Sequence, residues 1–171
     1  MQMVKKIIGG FFLLLIFLVV FAPKEQIYYL LEKKLYQEDK IVISDEKFHD
    51  NLLGFSIENA NIYFEDIYIA KIESLNLKMF FLYNQLTINS VTTDKGMQKI
   101  LPKSIDNLSA TYSILQPDKV IIKGVGSFGE LQGYIDINKV FIRIVNPKNI
   151  SSLRQFLKKD KEGFYYEKSF R

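Results

Sequence analysis

Residues 53–91 read LGFSIENANIYFEDIYIAKIESLNLKMFFLYNQLTINSV, and the period of this stretch decides the fold. Ile72, Ser74, Asn76 and Lys78 alternate with Leu75, Leu77, Met79 and Phe81, and the pattern breaks only at Glu73 and Phe80. A period of two with β-branched and aromatic residues, bounded by Asn, Asp and Gly, is the signature of half-buried strands. Strands are expected near Leu53 to Asn59, Ile62 to Glu65, Ile67 to Ala70, Ile72 to Phe80 and Gln85 to Val91, with one more at Ile41 to Ser44.

The same pattern resumes beyond Thr92-Thr93-Asp94-Lys95-Gly96 and a stretch to Lys103 that holds at most one helical turn, ended by Pro102. Further strands are expected at about Ile105 to Leu115, Lys119 to Phe128, Leu131 to Asn138 and Val140 to Val145. Turns are expected at Gln116-Pro117-Asp118 and Asn138-Lys139, and bulges or close backbone approach at Gly124, Gly126, Gly129 and Gly133. Asn146-Pro147 closes this meander. Ser151 or Ser152 can cap a short helix through Leu153, Phe156 and Leu157, ending in Lys158 and Lys159, and Gly163 to Arg171 reads as a last strand returning to an open sheet edge.

Before the strands lie two helical segments. Ile7 to Ala22 (IIGGFFLLLIFLVVFA) carries no charge, and as a helix it spans about 24 Å, near the thickness of a thin hydrocarbon core once Met3 and Val4 are added. The competing reading is a cleavable signal peptide ending at Val20-Phe21-Ala22, but Pro23 directly follows that site and the apolar run is longer than a typical signal-peptide core, so an uncleaved anchor is expected. Lys5 and Lys6 place the N-terminus in the cytoplasm by the positive-inside rule and the bulk of the chain outside it. Pro23 to Asp39 reads as an amphipathic helix with Ile27, Leu30, Leu31 and Leu35 on one side, either a stalk or a helix packed on the β domain.

The expected organisation is therefore a cytoplasmic N-terminus at 1–6, a transmembrane anchor at 7–22, a helix or stalk at 23–39 and a β-rich non-cytoplasmic domain at 40–171. The fold class is mainly β, an antiparallel meander with short flanking helices. Hydrophobic residues form 48% of the 171-residue chain, enough for one folded domain rather than a disordered chain. Setting Lys5 and Lys6 aside leaves 21 basic against 19 acidic residues, too even a balance for nucleic-acid binding. With no cysteine and only His49, the chain has no thiolate metal site, no His-based zinc site and no His-driven triad.

No residue set calls for catalysis. Gly124-Val125-Gly126-Ser127-Phe128-Gly129 superficially matches a phosphate loop, yet strand pattern continues on both sides where a helix would have to begin. Asp45 with Glu46, and Glu65 with Asp66, are adjacent acids that read as solvated edges. His49 sits in a polar loop, and Ser127 lacks an activating neighbour. The Lys158-Lys159-Asp160-Lys161 run followed by Phe164, Tyr165, Tyr166 and Phe170 reads as a helix end and an edge strand, with lipid headgroups or a partner as the functional alternative. No catalytic, cofactor-binding or metal-binding residues are assigned, and no enzymatic activity is expected.

In order, the proline-ended anchor, the helix Tyr28-Tyr29-Leu30-Leu31-Glu32-Lys33-Lys34-Leu35 and the strand Phe55-Ser56-Ile57-Glu58-Asn59-Ala60-Asn61-Ile62 resemble the type II secretion system protein N group, related to AsmA-like periplasmic proteins. Ile72-Glu73-Ser74-Leu75-Asn76-Leu77, Leu86-Thr87-Ile88-Asn89-Ser90-Val91 and Asp160 to Tyr166 continue that order. The resemblance implies a non-enzymatic accessory component of a secretion or envelope-assembly machine in the bacterial inner membrane, with its bulk in the periplasm, no cofactor, and envelope proteins as partners. The alternative is a lipid- or lipopolysaccharide-binding module similar to the single-pass lipopolysaccharide-export component, with inward Phe, Ile and Leu lining a space for acyl chains.

Overall fold

The structure, a computed structural model, describes residues 2–170, with the backbone alone for Gln2, Met3 and Phe12. Met1 and Arg171, at the ends of the expected N-terminal segment and last strand, lie outside the described residues. The chain is mainly β, as the alternation predicts. Helix α1 (Gln2–Val20) and helix α2 (Lys24–Asp39) precede eleven strands that form one antiparallel sheet. No single helix among the described residues is long and apolar enough to cross a membrane alone. The pair Val4–Val20 and Lys24–Asp39, bent by 58°, meets that length and composition together.

The strands are β1 (Ile41–Ser44), β2 (Lys47–Asn51), β3 (Gly54–Phe64), β4 (Ile67–Phe80), β5 (Tyr83–Thr93), β6 (Ser104–Ser113), β7 (Gln116–Gly126), β8 (Gly129–Asp136), β9 (Lys139–Pro147), β10 (Lys158–Asp160) and β11 (Gly163–Ser169). From β3 to β9 each strand pairs with the next, and β11 then adds beside β9 with β10 on its outer side. At the other edge, β1 pairs with Asn61 to Phe64 and β2 with Gly54 to Glu58 of the same strand β3. The expected return of the last strand to an open edge is therefore present, with Phe164 opposite Ile144 and Ser169 opposite Lys139.

Several local expectations are corrected. Lys47 to Asn51, read as a polar loop, is strand β2, because the edge ladder to β3 satisfies its backbone whatever its side chains prefer. The helix expected from Ser151 or Ser152 to Lys159 does not form. Ser151–Phe156 makes successive tight turns, and Lys158–Asp160 pairs with β11 instead. The turn expected at Gln116-Pro117-Asp118 falls two residues earlier, at Ile114-Leu115, and Pro117 is accepted near the start of β7.

The strands expected as Leu53–Asn59 and Ile62–Glu65 are one strand, as are Ile67–Ala70 and Ile72–Phe80. Their continuity has a structural device behind it. In β3 to β6, inward-facing apolar positions step once by three instead of two: Ile57 to Ala60, Ile72 to Leu75, Ile88 to Val91, Ile105 to Leu108. Each step spans a polar doublet, namely Glu58-Asn59, Glu73-Ser74, Asn89-Ser90 and Asp106-Asn107. Asn59 (φ 57°) and Ser90 (φ 54°) take the left-handed conformation there, and β6 shifts register between Ile105 and Asn107. Glu58, Ser74, Asn89 and Asn107 are successive cross-strand partners, and Asn89 donates to Ser74 (3.2 Å) while Asn107 donates to Asn89 (2.7 Å). This transverse polar crease resets the side-chain phase so that one face stays apolar along the whole length of the strands.

Helix α2 covers that apolar face at the β1–β3 end, but not with the expected stripe. Tyr28 and Lys24 are buried against the sheet, while Ile27, Leu30 and Leu31 face outward. The core cluster joins Tyr28 with Phe55, Ile57, Ala60 and Ile72. Tyr28 lies 5.6 Å from the Phe48 ring and 5.7 Å from that of Phe55 and donates from its hydroxyl to Glu46 (2.9 Å). Lys24, 4% exposed, reaches the carboxylate of Asp50 (3.2 Å) and the carbonyl of Val20 (3.1 Å).

Candidate functional site

The apolar face continues past the region that α2 covers. Beyond the crease it runs through Leu108, Ile122, Leu131, Ile142 and Ile144, which are aligned by the β6–β9 registers. Gly124 and Gly126 of the expected glycine-rich hairpin lie on this same face opposite Leu108 and Ile105. Their lack of side chains leaves room there: Phe128 fills part of it, 2% exposed, with its ring edge next to Gly126.

Over this part of the sheet pass the chain from Met97 to Lys103 and the turns from Asn149 to Leu157. Both are tied down by backbone bonds. Thr93 donates from its amide to the Lys103 carbonyl (3.1 Å) and from its hydroxyl to that of Pro102 (2.6 Å). The amides of Lys148 and Asn149 donate to the carbonyls of Phe128 (2.9 Å) and Ser127 (3.2 Å). Pro102, Leu153, Phe156 and Leu157 thus roof the sheet without filling the space beneath. They leave a cleft of about 390 Å³ whose walls are apolar throughout and whose floor is Ile122, Leu131 and Ile144. That volume lies within the roughly 300–1,000 Å³ of ordinary ligand pockets. The sequence signalled the inward Ile and Leu of this site, but not its roof, whose residues were expected to form a helix.

Of the residues weighed for chemistry, His49 and the two acidic pairs do not line the cleft, whereas the glycine-rich segment borders it through Phe128. His49 is on β2, half-exposed, with its Nε2 3.9 Å from Glu58. Asp45 and Glu46 fill the break between β1 and β2, Asp45 accepting from Asn61 (2.8 Å) and Glu46 from Tyr28. Glu65 and Asp66 form the β3–β4 turn. Ser127 donates to the Ser104 carbonyl and accepts from the Ser104 amide, both at 3.2 Å, a latch between hairpins. The GVGSFG segment is strand, turn, strand, with Gly129 at φ 107°, where a β-carbon would run into the Asn146 carbonyl, and no helix follows it. Among the described residues no group of three or more His, Asp and Glu side chains is placed to hold a metal ion.

The opposite face of β8, β9 and β11 carries a stacked ladder, Tyr134 on Phe141 (5.7 Å) and Phe141 on Tyr165 (5.9 Å). Its cations have partners within the chain. Arg143 makes two bonds to Asp160 (2.9 and 2.8 Å), which hold the Asp160 carboxyl below its ordinary range, and Lys139 bonds Glu167 (2.8 Å) with the same effect on Glu167. Arg143 and Lys139 are therefore engaged in fastening β10 and β11 to β9. No family model, curated protein or solved structure matches this chain.

Proposed function

We propose that this protein is a non-enzymatic, membrane-tethered module that binds a lipid acyl chain in the apolar cleft between its sheet and the Leu153–Leu157 turns. The observation that carries this reading is a cleft without a polar wall atom on a sheet face that few internal side chains cover. Such a lining offers nothing to orient a polar substrate and suits a saturated chain well. In this reading α1, with or without the start of α2, tethers the chain to the bacterial inner membrane, N-terminus inside and sheet in the periplasm. The charge-free run from Ile7 to Ala22 and the lysines before it support the tether.

The test is lipid analysis by mass spectrometry of the full chain purified from cells, beside Leu131→Trp, which fills the cleft floor. Lipid should accompany the native chain and fall severalfold in the variant; equal recovery from both would overturn the reading. A second reading, an accessory component of a secretion or envelope-assembly machine like the type II secretion protein N group, is favoured by the sheet edges. β10 covers only Gly163 to Tyr165, so the outer edge of β11 from Tyr166 to Ser169 has no strand on it and suits strand addition by a partner. In-cell crosslinking from Glu167 that captures secretion-apparatus subunits, with no lipid in the cleft, would favour this second role.

A further inference from the structure

Strand order gathers scattered apolar residues onto one end of the molecule. Because β2 to β9 form an antiparallel meander, the β2–β3, β4–β5, β6–β7 and β8–β9 turns all lie at the same end of the sheet. The end of β11 is there too, since the Phe170 amide donates to the Asn138 carbonyl (2.8 Å). Two-residue hairpin turns favour Asn, Asp and Gly. These four are Leu52-Leu53, Phe81-Leu82, Ile114-Leu115 and Ile137-Asn138, with Phe170 completing the row. Leu115 is 88% and Ile137 85% exposed, so packing within the chain does not account for them. At the other end the two-residue turns are Glu65-Asp66, Lys161-Glu162 and Ser127-Phe128, whose phenylalanine is buried.

The apolar end is also the end from which α1 departs. Lys24, at the start of α2, holds both the Val20 carbonyl at the close of α1 and Asp50, the residue before the last pair of the β2–β3 hairpin. An apolar helix and a row of apolar tips thus leave the sheet from one side. Between the tips, Leu52, Leu53, Phe80 and Tyr83 line an open hollow of about 660 Å³ together with Asn51, Asn76 and Lys78, which lie with Phe80 on the sheet face opposite the apolar one.

We infer that this row of hairpin tips is a bilayer-contact surface, with Leu52, Phe81, Leu82, Leu115, Ile137 and Phe170 entering the interfacial zone of the membrane that receives α1. The strands then stand on the bilayer, with the hollow bordered by Leu52, Phe80 and Tyr83 at the membrane surface. A large apolar side chain on a turn gains its transfer free energy only when such a surface covers it. This inference rests on the tether reading of α1.

The chain has no cysteine, so single cysteines can carry an environment-sensitive fluorophore. The full chain, labelled at Leu115→Cys, Ile137→Cys, Glu65→Cys, Lys161→Cys or Leu14→Cys, is reconstituted in phosphatidylethanolamine and phosphatidylglycerol vesicles containing acyl-brominated lipid. Severalfold quenching at Leu115, Ile137 and Leu14, with Glu65 and Lys161 unquenched, is the expected result. Quenching at Leu14 alone overturns the inference and leaves the tether standing. Tips shielded from aqueous iodide yet unquenched by brominated lipid mean a protein interface, which also overturns it. No quenching at Leu14 removes the tether and this inference with it.

Discussion

Tyr28 is buried on a helix whose more apolar residues, Ile27, Leu30 and Leu31, are not, so shape and hydrogen bonding rather than hydrophobicity alone chose the packed face. Its ring completes a cluster with Phe48 and Phe55, and its hydroxyl gives Glu46 a donor at the break between β1 and β2. Truncation to alanine should cost about 3–5 kcal/mol, the range for a buried aromatic, whereas Tyr28→Phe loses only the hydrogen bond, about 1 kcal/mol. Urea unfolding of the full chain in detergent measures both; equal losses would mean the hydroxyl, not the ring, holds the helix down. Burial, and then the bond to Glu46, push the Tyr28 phenol far above its ordinary value. A raised folded-state pKa gives stability that is whole below the unfolded phenol's value of about 10 and declines as pH rises past it. Alkaline destabilisation above that point should accordingly be shallower in Tyr28→Phe than in the native chain. Lys24 teaches a related lesson: in sequence it is a stray charge after the apolar run, and only the fold brings Asp50 to it.

The crease is an element-scale feature written in the sequence as four polar doublets, of which only Glu58-Asn59 reads as a strand end while the other three fall inside expected strands. Period-two reasoning treats Glu58-Asn59 as a boundary. In the fold it is a phase reset, because neighbouring strands reset at the same level and keep the ladder intact. Asn59 suits its left-handed position, but Ser90 does not, since a non-glycine residue other than Asn or Asp is held there at a cost of about 1–2 kcal/mol. Ser90→Gly should therefore be neutral or stabilising by up to about 1 kcal/mol, and Ser90→Val destabilising by more than about 1 kcal/mol, read from denaturant midpoints. The opposite ordering would remove the strain from Ser90. The β9–β11 fastening is likewise legible only once Arg143 and Asp160 are brought together. The folded-state pKa values of Asp160 and Glu167 are lowered, so their contribution is present above their unfolded values of about 4 and is lost as pH falls through the folded ones. Amide exchange in β11 should accelerate below about pH 4, and Asp160→Asn should show that faster exchange already at neutral pH.

At the scale of the whole molecule, one apolar face spans the sheet, but only its two ends are covered, by α2 and by the Leu153–Leu157 turns. Nine hydrophobic residues are buried among those described, and Leu86, Ile88, Leu108 and Ala110, near the middle of the same face, are half-exposed. The alternation predicted that Leu75, Leu77 and Met79 share that face but put Ile72 on the opposite one, because a period of two does not carry through the crease. It was silent on coverage, because the roof is made by residues far along the chain that carry no periodic signal. A sheet so thinly covered gains stability from whatever occupies its face, and a ligand that binds the folded state alone adds RT ln(1 + [L]/Kd), about 2.7 kcal/mol at a hundredfold excess over Kd. If an acyl chain fills the cleft, the unfolding midpoint of delipidated protein should climb steadily with added fatty acid below its micellar concentration. The climb should be absent in Leu131→Trp, where indole takes the place of the chain. Tracking the midpoint by circular dichroism across such a titration makes the comparison direct, since a parallel rise in both proteins would assign the effect to nonspecific coating of the exposed face. A flat response in the native chain would instead leave the open strand edges as the binding feature.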